Sequence, residues 1–343
     1  MTTLRHRQHH HQEQERKQQA RTSNSIRTST GILPCLLLIA LVTLIFISLS
    51  REKFLNNKLL PAVILQQNAA ETATTTTTRS TTTTSNTWKT LIKAMKPAIR
   101  AAKAKLVAGL KKEGECALES PLCHFSDLQP LPFPSNMVQQ GNGESEKTMM
   151  TGIDMLNGEV CIVYGVGIST DSAFEQTMAT RNCQVFAFDC TITEEAASVK
   201  NMNFTFLPIC IGDDTASEHL GNSWKDVNQK DDAAVRIFQP LAQVMSTLNH
   251  THIDFLKFDT EGNEWTMFQS ILTAPFLPRQ LNFEMHLEGA NPGPVPPILV
   301  QGKRRSKVNE IILQFMNVGY GIVSIEPNPS DPYCADVTLV LMK

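Results

Sequence analysis

The chain has 343 residues, room for two domains at most once non-globular stretches are set aside. With 31 Lys and Arg against 33 Asp and Glu, the formal net charge is −2. That balance excludes a globally basic surface of the kind that binds nucleic acid.

Residues 1–31 are polar, rich in Gln, His, Ser and Thr, and include the run His9-His10-His11. Such composition reads as a disordered tail rather than a metal tract. Ile32–Leu49 is then uncharged throughout. At about 1.5 Å per residue a helix over it spans about 27 Å, close to a hydrocarbon core. Ser48-Leu49-Ser50 offers a small-x-small cleavage pattern, but the apolar run is long for a cleaved signal peptide. Arg5, Arg7, Arg16, Lys17, Arg21 and Arg27 precede the run, against Arg51, Lys53 and Lys58 after it. The asymmetry keeps the N-terminus cytoplasmic and puts the rest in the lumen. The expectation is a single-pass type II membrane protein of the Golgi or endoplasmic reticulum with a transmembrane signal anchor at 32–49.

Residues 50–113 read as a stalk and stem. Threonine dominates 72–87, which cannot bury enough apolar surface to fold and suits an O-glycosylated stalk or a bare linker. Trp88–Lys112 is basic, alanine-rich and helical in period, with Pro97 inside it, and predicts a solvated stem helix. A lead-in segment (114–150) follows. Seven of the eight cysteines lie after the predicted span, where disulfides are permitted. Cys116 and Cys123 flank a short turn-like segment and are the expected pair. Cys161 and Cys210 sit in predicted core strands, where a free thiol acts as a small apolar residue. No cysteine spacing resembles a zinc site.

From about Thr151 to Lys343 strands and helices alternate. Val160–Tyr164 is a strand, followed by Gly165-Val166-Gly167 and a helix over Ser172–Thr180. Gln184–Phe188 is the next strand and ends at Asp189. A helix over Glu194–Lys200 leads to a third strand, Phe204–Ile211, ending at Gly212-Asp213. Helix 240–248 precedes the strand Ile253–Phe258. Helix 265–272 precedes the strand Leu281–Met285, which ends in His286. Helix 308–318 stops at Gly319, and strands 321–325 and 336–342 close the chain. This pattern predicts an α/β, Rossmann-like, doubly wound, mostly parallel sheet with an antiparallel C-terminal edge.

Three features point to a ligand at the carboxyl edge of that sheet. Gly165 and Gly167 after a strand allow tight folding and close approach of the backbone to a ligand. Asp189, at the end of the next strand, is placed to accept hydrogen bonds from ribose hydroxyls. Asp213, at the end of the third strand, is a further candidate on the cofactor side. The third feature is Ile253–Trp265, where an apolar strand turns abruptly acidic at Asp259, Glu261 and Glu264. Carboxylates cluster at a strand end where the strand leaves the core. The competing reading is a solvated turn with Asp259 or Thr260 as helix cap and Glu264 favoured by the helix dipole.

The segments Gly165-Val-Gly-Ile-Ser-Thr-Asp-Ser-Ala-Phe-Glu175, Val185-Phe-Ala-Phe-Asp189, Leu256-Lys-Phe-Asp-Thr-Glu-Gly-Asn-Glu-Trp265 and Gly319-Tyr-Gly-Ile-Val-Ser-Ile-Glu-Pro-Asn328 resemble the FkbM-like methyltransferases. Among these they resemble the membrane-anchored methyltransferase-like protein 24 group. The resemblance covers roughly residues 115–343. It implies a class I methyltransferase fold, with S-adenosylmethionine held by Gly165, Gly167 and Asp189. Tyr164 stands where many methyltransferases carry an acid.

Two sequons, Asn203-Phe-Thr205 and Asn249-His-Thr251, precede the third and fourth strands. Glycans there would decorate the edge opposite Asp189, Asp213, Asp259 and His286. For methyl transfer to a hydroxyl the protein must position the acceptor and remove its proton. Asp259 is the first candidate, with Glu261 and His286 behind it. Glu284 is a further carboxylate there, or pairs with Lys257 on the adjacent strand. A divalent metal could bridge Asp259, Glu284 and His286, but no firm ligand motif supports one. The resulting expectation is an S-adenosylmethionine-dependent O-methyltransferase of the secretory pathway whose acceptor is a glycan or protein. A Golgi glycosyltransferase shares the layout, yet no apolar strand here ends in Asp-x-Asp. A non-catalytic cofactor-binding scaffold is the third class.

Overall fold

In the computed structural model of the chain, residues 82–111, 123–133, 137–141, 145–151, 160–192, 203–213, 238–293 and 295–343 are described. The tail at 1–31, the span at 32–49, the Thr-rich stalk before Thr82, Cys116 and the helix expected at 194–200 lie outside them. Among the described residues no helix is long and apolar enough to cross a membrane.

The first element is α1 (Thr82–Gly109), with Pro97 inside it. It starts within the Thr-rich stretch and is not the solvated stem expected. Met95, Ala102 and Leu106 are buried, a spacing that puts them on one helix face, and Trp88 stacks on Phe133 with centroids 6.2 Å apart. The hairpin of β1 (Met137–Gln140) and β2 (Lys147–Met150) follows, Met137 facing Met150. Packed structure therefore begins upstream of the boundary expected near Thr151.

Then come β3 (Ile162–Val166), α2 (Ala173–Ala179), β4 (Gln184–Phe188), β5 (Thr205–Leu207), β6 (Cys210–Ile211) and β7 (Phe238–Gln239). The single strand expected over Phe204–Ile211 breaks at Pro208, which has no amide to give a ladder; β6 pairs with β7 instead. After α3 (Leu241–Thr247) the chain forms β8 (Phe255–Phe258), α4 (Glu264–Leu272), β9 (Gln280–His286), the short α5 (Pro297–Val300), α6 (Arg305–Val318), β10 (Tyr320–Pro327) and β11 (Cys334–Leu341). Gly319 ends α6 in the left-handed region, φ 116°, as expected.

Seven strands form one sheet in the order β10-β11-β9-β8-β3-β4-β5. All residues of β3 and β8 are buried, as central parallel strands covered on both faces require. The antiparallel pair lies at the expected end, but β11 inserts between β9 and β10 and runs antiparallel to both. The edge strand β10 thus runs with the rest. The inner place goes to the more apolar strand, since Val337, Leu339 and Val340 of β11 are wholly buried.

An aromatic stack fixes the site end of the sheet. Phe283 of β9 lies 5.1 Å from Phe258 of β8 and 4.9 Å from Phe268 of α4, ring centre to ring centre. At roughly 1.5–3 kcal/mol per buried Phe, the stack holds the residues that follow, Asp259 and His286, in fixed relative positions. On the other flank two disulfides, Cys161–Cys183 and Cys190–Cys210, tie neighbouring strands. Cys161 and Cys210 are therefore not the free thiols expected. Pairing of β3 with β4 brings Cys183 beside Cys161 and the chain after Asp189 brings Cys190 beside Cys210 of β6, with 4.6 and 4.9 Å between Cα atoms, inside bonding reach. Cys123 is also disulfide-bonded. Cys334 is a buried free thiol.

Candidate active site

Strand order reverses beside β3: the chain runs outward through β4 and β5, then returns to build β8 and β9 on the other side. A crevice opens at the carboxyl ends of β3 and β8, where open α/β sheets bind ligands. A cavity lies there, walled by the ends of β3, β4, β6 and β8.

Its β3–β4 wall is made largely of backbone. Gly167 (φ 73°) turns the chain out of β3, and its amide bonds Phe188 O at 2.8 Å. A Cβ on Gly167 would stand 1.8 Å from the Asp259 carbonyl oxygen, so no side chain fits. Gly165 does something else. It lies inside β3, paired with Ala187 and Lys257, and is not part of the cavity wall. Its missing side chain leaves room for the fully buried Glu175 carboxylate, whose Oε1 would be 2.0 Å from a Cβ there. Lys257 Nζ sits 4.0 Å from that oxygen and also donates to Gly167 O at 3.2 Å. Burial raises the Glu175 carboxyl above its ordinary range.

Asp189 lines the cavity as expected and is only 6% exposed. Its Oδ2 accepts the Ser169 amide at 2.9 Å, and its Oδ1 accepts the Thr191 amide and hydroxyl at 2.8 and 2.6 Å. Phe188, Ile209, Ile211 and Phe238 supply an apolar surface beside it. Asp213 is elsewhere: it borders a second cavity with Trp265, Gln269 and Lys303, because the break at Pro208 redirects the chain before it. Tyr164 is wholly buried, with its hydroxyl 2.6 Å from His250 Nδ1, away from the cavity.

The β8–β9 wall carries the acids. Asp259 and Glu261 both line the cavity, and Asp259 Oδ1 is buried without a hydrogen-bond partner. The cap of α4 is Asn263, not Asp259 or Thr260. Glu261 (φ 53°) and Gly262 (φ 97°) make the turn. Glu264 fixes it by accepting the Thr260 amide and hydroxyl at 2.7 and 2.9 Å and the Gly262 amide at 3.0 Å. His286 lies behind this turn, 4% exposed and outside the cavity lining. Its Nδ1 is 3.3 Å from Glu264 Oε2, and its Nε2 is 3.5 Å from Glu261 Oε2 and 3.9 Å from Glu284 Oε2. Burial disfavours the charged imidazole, but the Glu264 carboxylate and hydrogen bonding with Cys334 outweigh it and hold His286 well above its ordinary value. Burial, then the charge of Asp259, pushes the Glu284 carboxyl up to about 8. The pairing expected between Glu284 and Lys257 is replaced by other partners: Lys257 approaches Glu175, and Glu284 accepts from Asn328 Nδ2 at 2.9 Å.

The structure therefore brings Gly167, Asp189, Asp259 and Glu261 to one cavity, sets His286 directly behind, and leaves Gly165 and Asp213 off it. Sequence reasoning missed Thr191 and the Cys190–Cys210 bridge, both at the cavity. Cys190 follows Asp189 directly, a signal available in the sequence. Asn203 and Asn249 are both exposed, before β5 and β8, at the opposite edge.

A family profile described as a methyltransferase domain matches residues 126–340, more than half of the chain. The chain belongs to this family. The "Probable methyltransferase-like protein 24" of Homo sapiens is 26% identical over 140 residues, 38% of this chain and 34% of that protein. The Rattus norvegicus protein of the same name is 26% identical over 169 residues, 45% and 42% respectively. The chain thus spans under half the length of these curated relatives, and the resemblance to that group read from the sequence is borne out. Among solved structures, the N-terminal domain of EvdMO1 with SAH bound covers 52% of this chain and 73% of its own at 9% identity and TM-score 0.29. An O-methyltransferase family 2 protein from Planctomyces limnophilus, in complex with apigenin, covers 52% and 50% at 9% identity and TM-score 0.24.

For a methyltransferase domain the cofactor is S-adenosylmethionine, and the cavity fits it. Of the lining residues, Asp189 would accept from the ribose hydroxyls and Phe188 and Phe238 would offer an apolar surface to the purine.

Proposed function

We propose that the protein is a lumenal, membrane-anchored methyltransferase of the secretory pathway that methylates a hydroxyl, with a glycan as the acceptor class. The observation that carries this reading is the half-buried Asp259 carboxylate, whose Oδ1 is buried and unpartnered, lining the same cavity as Gly167 beside it and Asp189. Bound S-adenosylmethionine supplies a methyl group already activated on a sulfonium. Asp259 then needs only to orient the acceptor hydroxyl and take its proton as the oxygen–methyl bond forms and the sulfur–methyl bond breaks. Glu261, on the same wall, positions the acceptor, and His286 acts through Glu261 and Glu264 rather than on the acceptor itself.

Two cross-strand disulfides support an oxidising compartment. The exposed Asn203 and Asn249 support glycosylation away from the cavity. The decisive experiment is calorimetric titration of the purified chain with S-adenosylmethionine and, separately, with sugar nucleotides. Asp189→Ala removes the ribose acceptor and should weaken S-adenosylmethionine binding by tenfold or more, from the ~1.5–3 kcal/mol of a charged hydrogen bond. Binding of a sugar nucleotide in its place would instead support the glycosyltransferase layout. For the compartment, an endoglycosidase shift lost only in the double variant Asn203→Gln/Asn249→Gln is the expected result. Absence of any shift would count against a lumenal domain.

A further inference from the structure

Behind the acidic wall lies a mixed set of side chains that methyl transfer does not require. The ligating atoms of Glu284, His286 and Cys334 lie within 4.8 Å of one another, and a second set, Asp259, Glu264 and His286, shares the same imidazole. Sheet register makes this possible: Cys334 of β11 is paired directly with His286 of β9, and Glu284 lies two residues before His286 on the same face. We propose that Glu284, His286 and Cys334 bind a divalent cation of the zinc class, with Glu261 closing the cavity side.

Beside the hydrogen bond between His286 and Cys334, the distances to the carboxylates suit a cation better than further hydrogen bonds. His286 Nε2 is 3.5 Å from Glu261 Oε2 and 3.9 Å from Glu284 Oε2, at or beyond the limit of a hydrogen bond. Two donors on one tetrahedral zinc, with bonds of about 2.0–2.3 Å, stand roughly 3.3–3.8 Å apart. The other ring nitrogen is provided for as well. His286 is 4% exposed, its Nδ1 is a buried nitrogen outside hydrogen-bonding geometry, and the nearest acceptor is Glu264 Oε2 at 3.3 Å. A small tilt of the ring puts Nδ1–H on Glu264 and Nε2 on the cation, the carboxylate–histidine–metal arrangement of zinc sites. Glu264 cannot drift, because the Thr260 and Gly262 amides hold it. Glu284 is oriented in the same way, its Oε1 accepting from Asn328 while Oε2 is left for the cation.

The donor set selects the metal. A thiolate, an imidazole and a carboxylate suit zinc, whereas magnesium and calcium take oxygen donors alone. Cys334 is also a free buried cysteine in a chain whose Cys123, Cys161, Cys183, Cys190 and Cys210 are all disulfide-bonded. Binding displaces two protons to solvent, one from the Cys334 thiol and one from Nε2 of the His286 imidazolium, so the two positive charges of the cation are offset by the two protons released. The site shares Glu261 and His286 with the acceptor wall, but its test uses neither cofactor nor acceptor, so its failure leaves the methyltransferase reading standing.

The test uses the full chain purified in detergent from a secretory host, stripped with chelator and titrated with Co2+ and then Zn2+ without S-adenosylmethionine. One equivalent of Co2+ should produce a thiolate-to-cobalt charge-transfer band that Zn2+ abolishes and Cys334→Ser removes. Asn328→Ala, which only loosens Glu284, should weaken Zn2+ binding about 10–100-fold while keeping the band. A wild-type protein with no such band, or a Cys334→Ser protein that retains it, overturns the site and leaves Cys334 as a packing residue. Should Cys334→Ser not fold, the wild-type thiol decides. Zn2+ must slow its alkylation at least tenfold, and an unchanged rate overturns the proposal.

Discussion

The two walls of the crevice are built on opposite plans. On the β3–β4 wall the groups that face the cavity are held, Asp189 accepting three hydrogen bonds and the Gly167 amide and carbonyl both engaged, while the unpartnered Glu175 carboxylate lies behind it, against Gly165. On the β8–β9 wall Asp259 Oδ1, and behind it His286 Nδ1, are buried without hydrogen-bond partners. A wall whose groups are satisfied is rigid and suits binding, because no reorganisation is needed when the ligand arrives. A wall with unsatisfied carboxylate oxygen carries a desolvation cost, and that cost persists where the group serves chemistry. Binding and chemistry should therefore separate by wall.

The largest expected effect is on the chemical wall. Asp259→Asn keeps size and removes basicity, so turnover with an acceptor found by a labelled-cofactor glycan screen should fall roughly 10²–10⁴-fold. S-adenosylmethionine affinity should change by less than about 1 kcal/mol. Full activity would move the base to Glu261 or leave the reaction needing none.

Next comes the disulfide pair. Each bridge closes a loop of similar length, with sequence separations of 22 and 20, and losing either should cost about 3 kcal/mol of unfolding free energy by denaturant titration. Only Cys190→Ser/Cys210→Ser should also weaken S-adenosylmethionine binding, since Cys190 and Cys210 line the cavity and Cys161 and Cys183 do not. Equal affinity in the two double variants would break the distinction drawn between the walls.

The two glycines give a smaller and sharper contrast. Gly167→Ala forces a Cβ against a backbone carbonyl at positive φ, at about 1–3 kcal/mol for the strained conformation, and should weaken cofactor binding by roughly 5–150-fold. Gly165→Ala collides with Glu175 instead and should lower the melting temperature while the folded fraction still binds. Smallest is a pH effect far from either wall. Burial lowers His250 from 6.5 to about 4, so the fold holds it neutral. Its contribution to stability is present above about 6.5 and is lost as pH falls through about 4. His250→Gln should flatten the melting-temperature profile over that window.

Much of the fold was legible in the sequence because it rests on local pattern. The apolar runs of β3, β4, β8 and β9, the Gly319 stop and the acidic turn after Phe258 all read directly from residue periodicity. The strands that misread are those set by partners. Pro208 split one strand in two, and β11 took the inner place over β10 through burial against β9. The helix α1 was expected in solvent because its surface is basic. Its three buried residues share one face, and the helix packs against α6, a contact between segments roughly two hundred positions apart in the chain.

The candidate site divides along the same line. By itself the sequence determined that a glycine turn, an acid at the end of β4 and an acid cluster at the end of β8 would meet at the carboxyl edge, because strand direction places every strand end there. It could not tell Gly165 from Gly167, since one clears space for Glu175 and the other for the Asp259 carbonyl, and both neighbours come from elsewhere in the chain. Nor could it pair Cys190 with Cys210 or bring Cys334 beside His286. Those juxtapositions follow from strand order and register. Order and register are fixed by which faces bury together, and only the tertiary structure decides that.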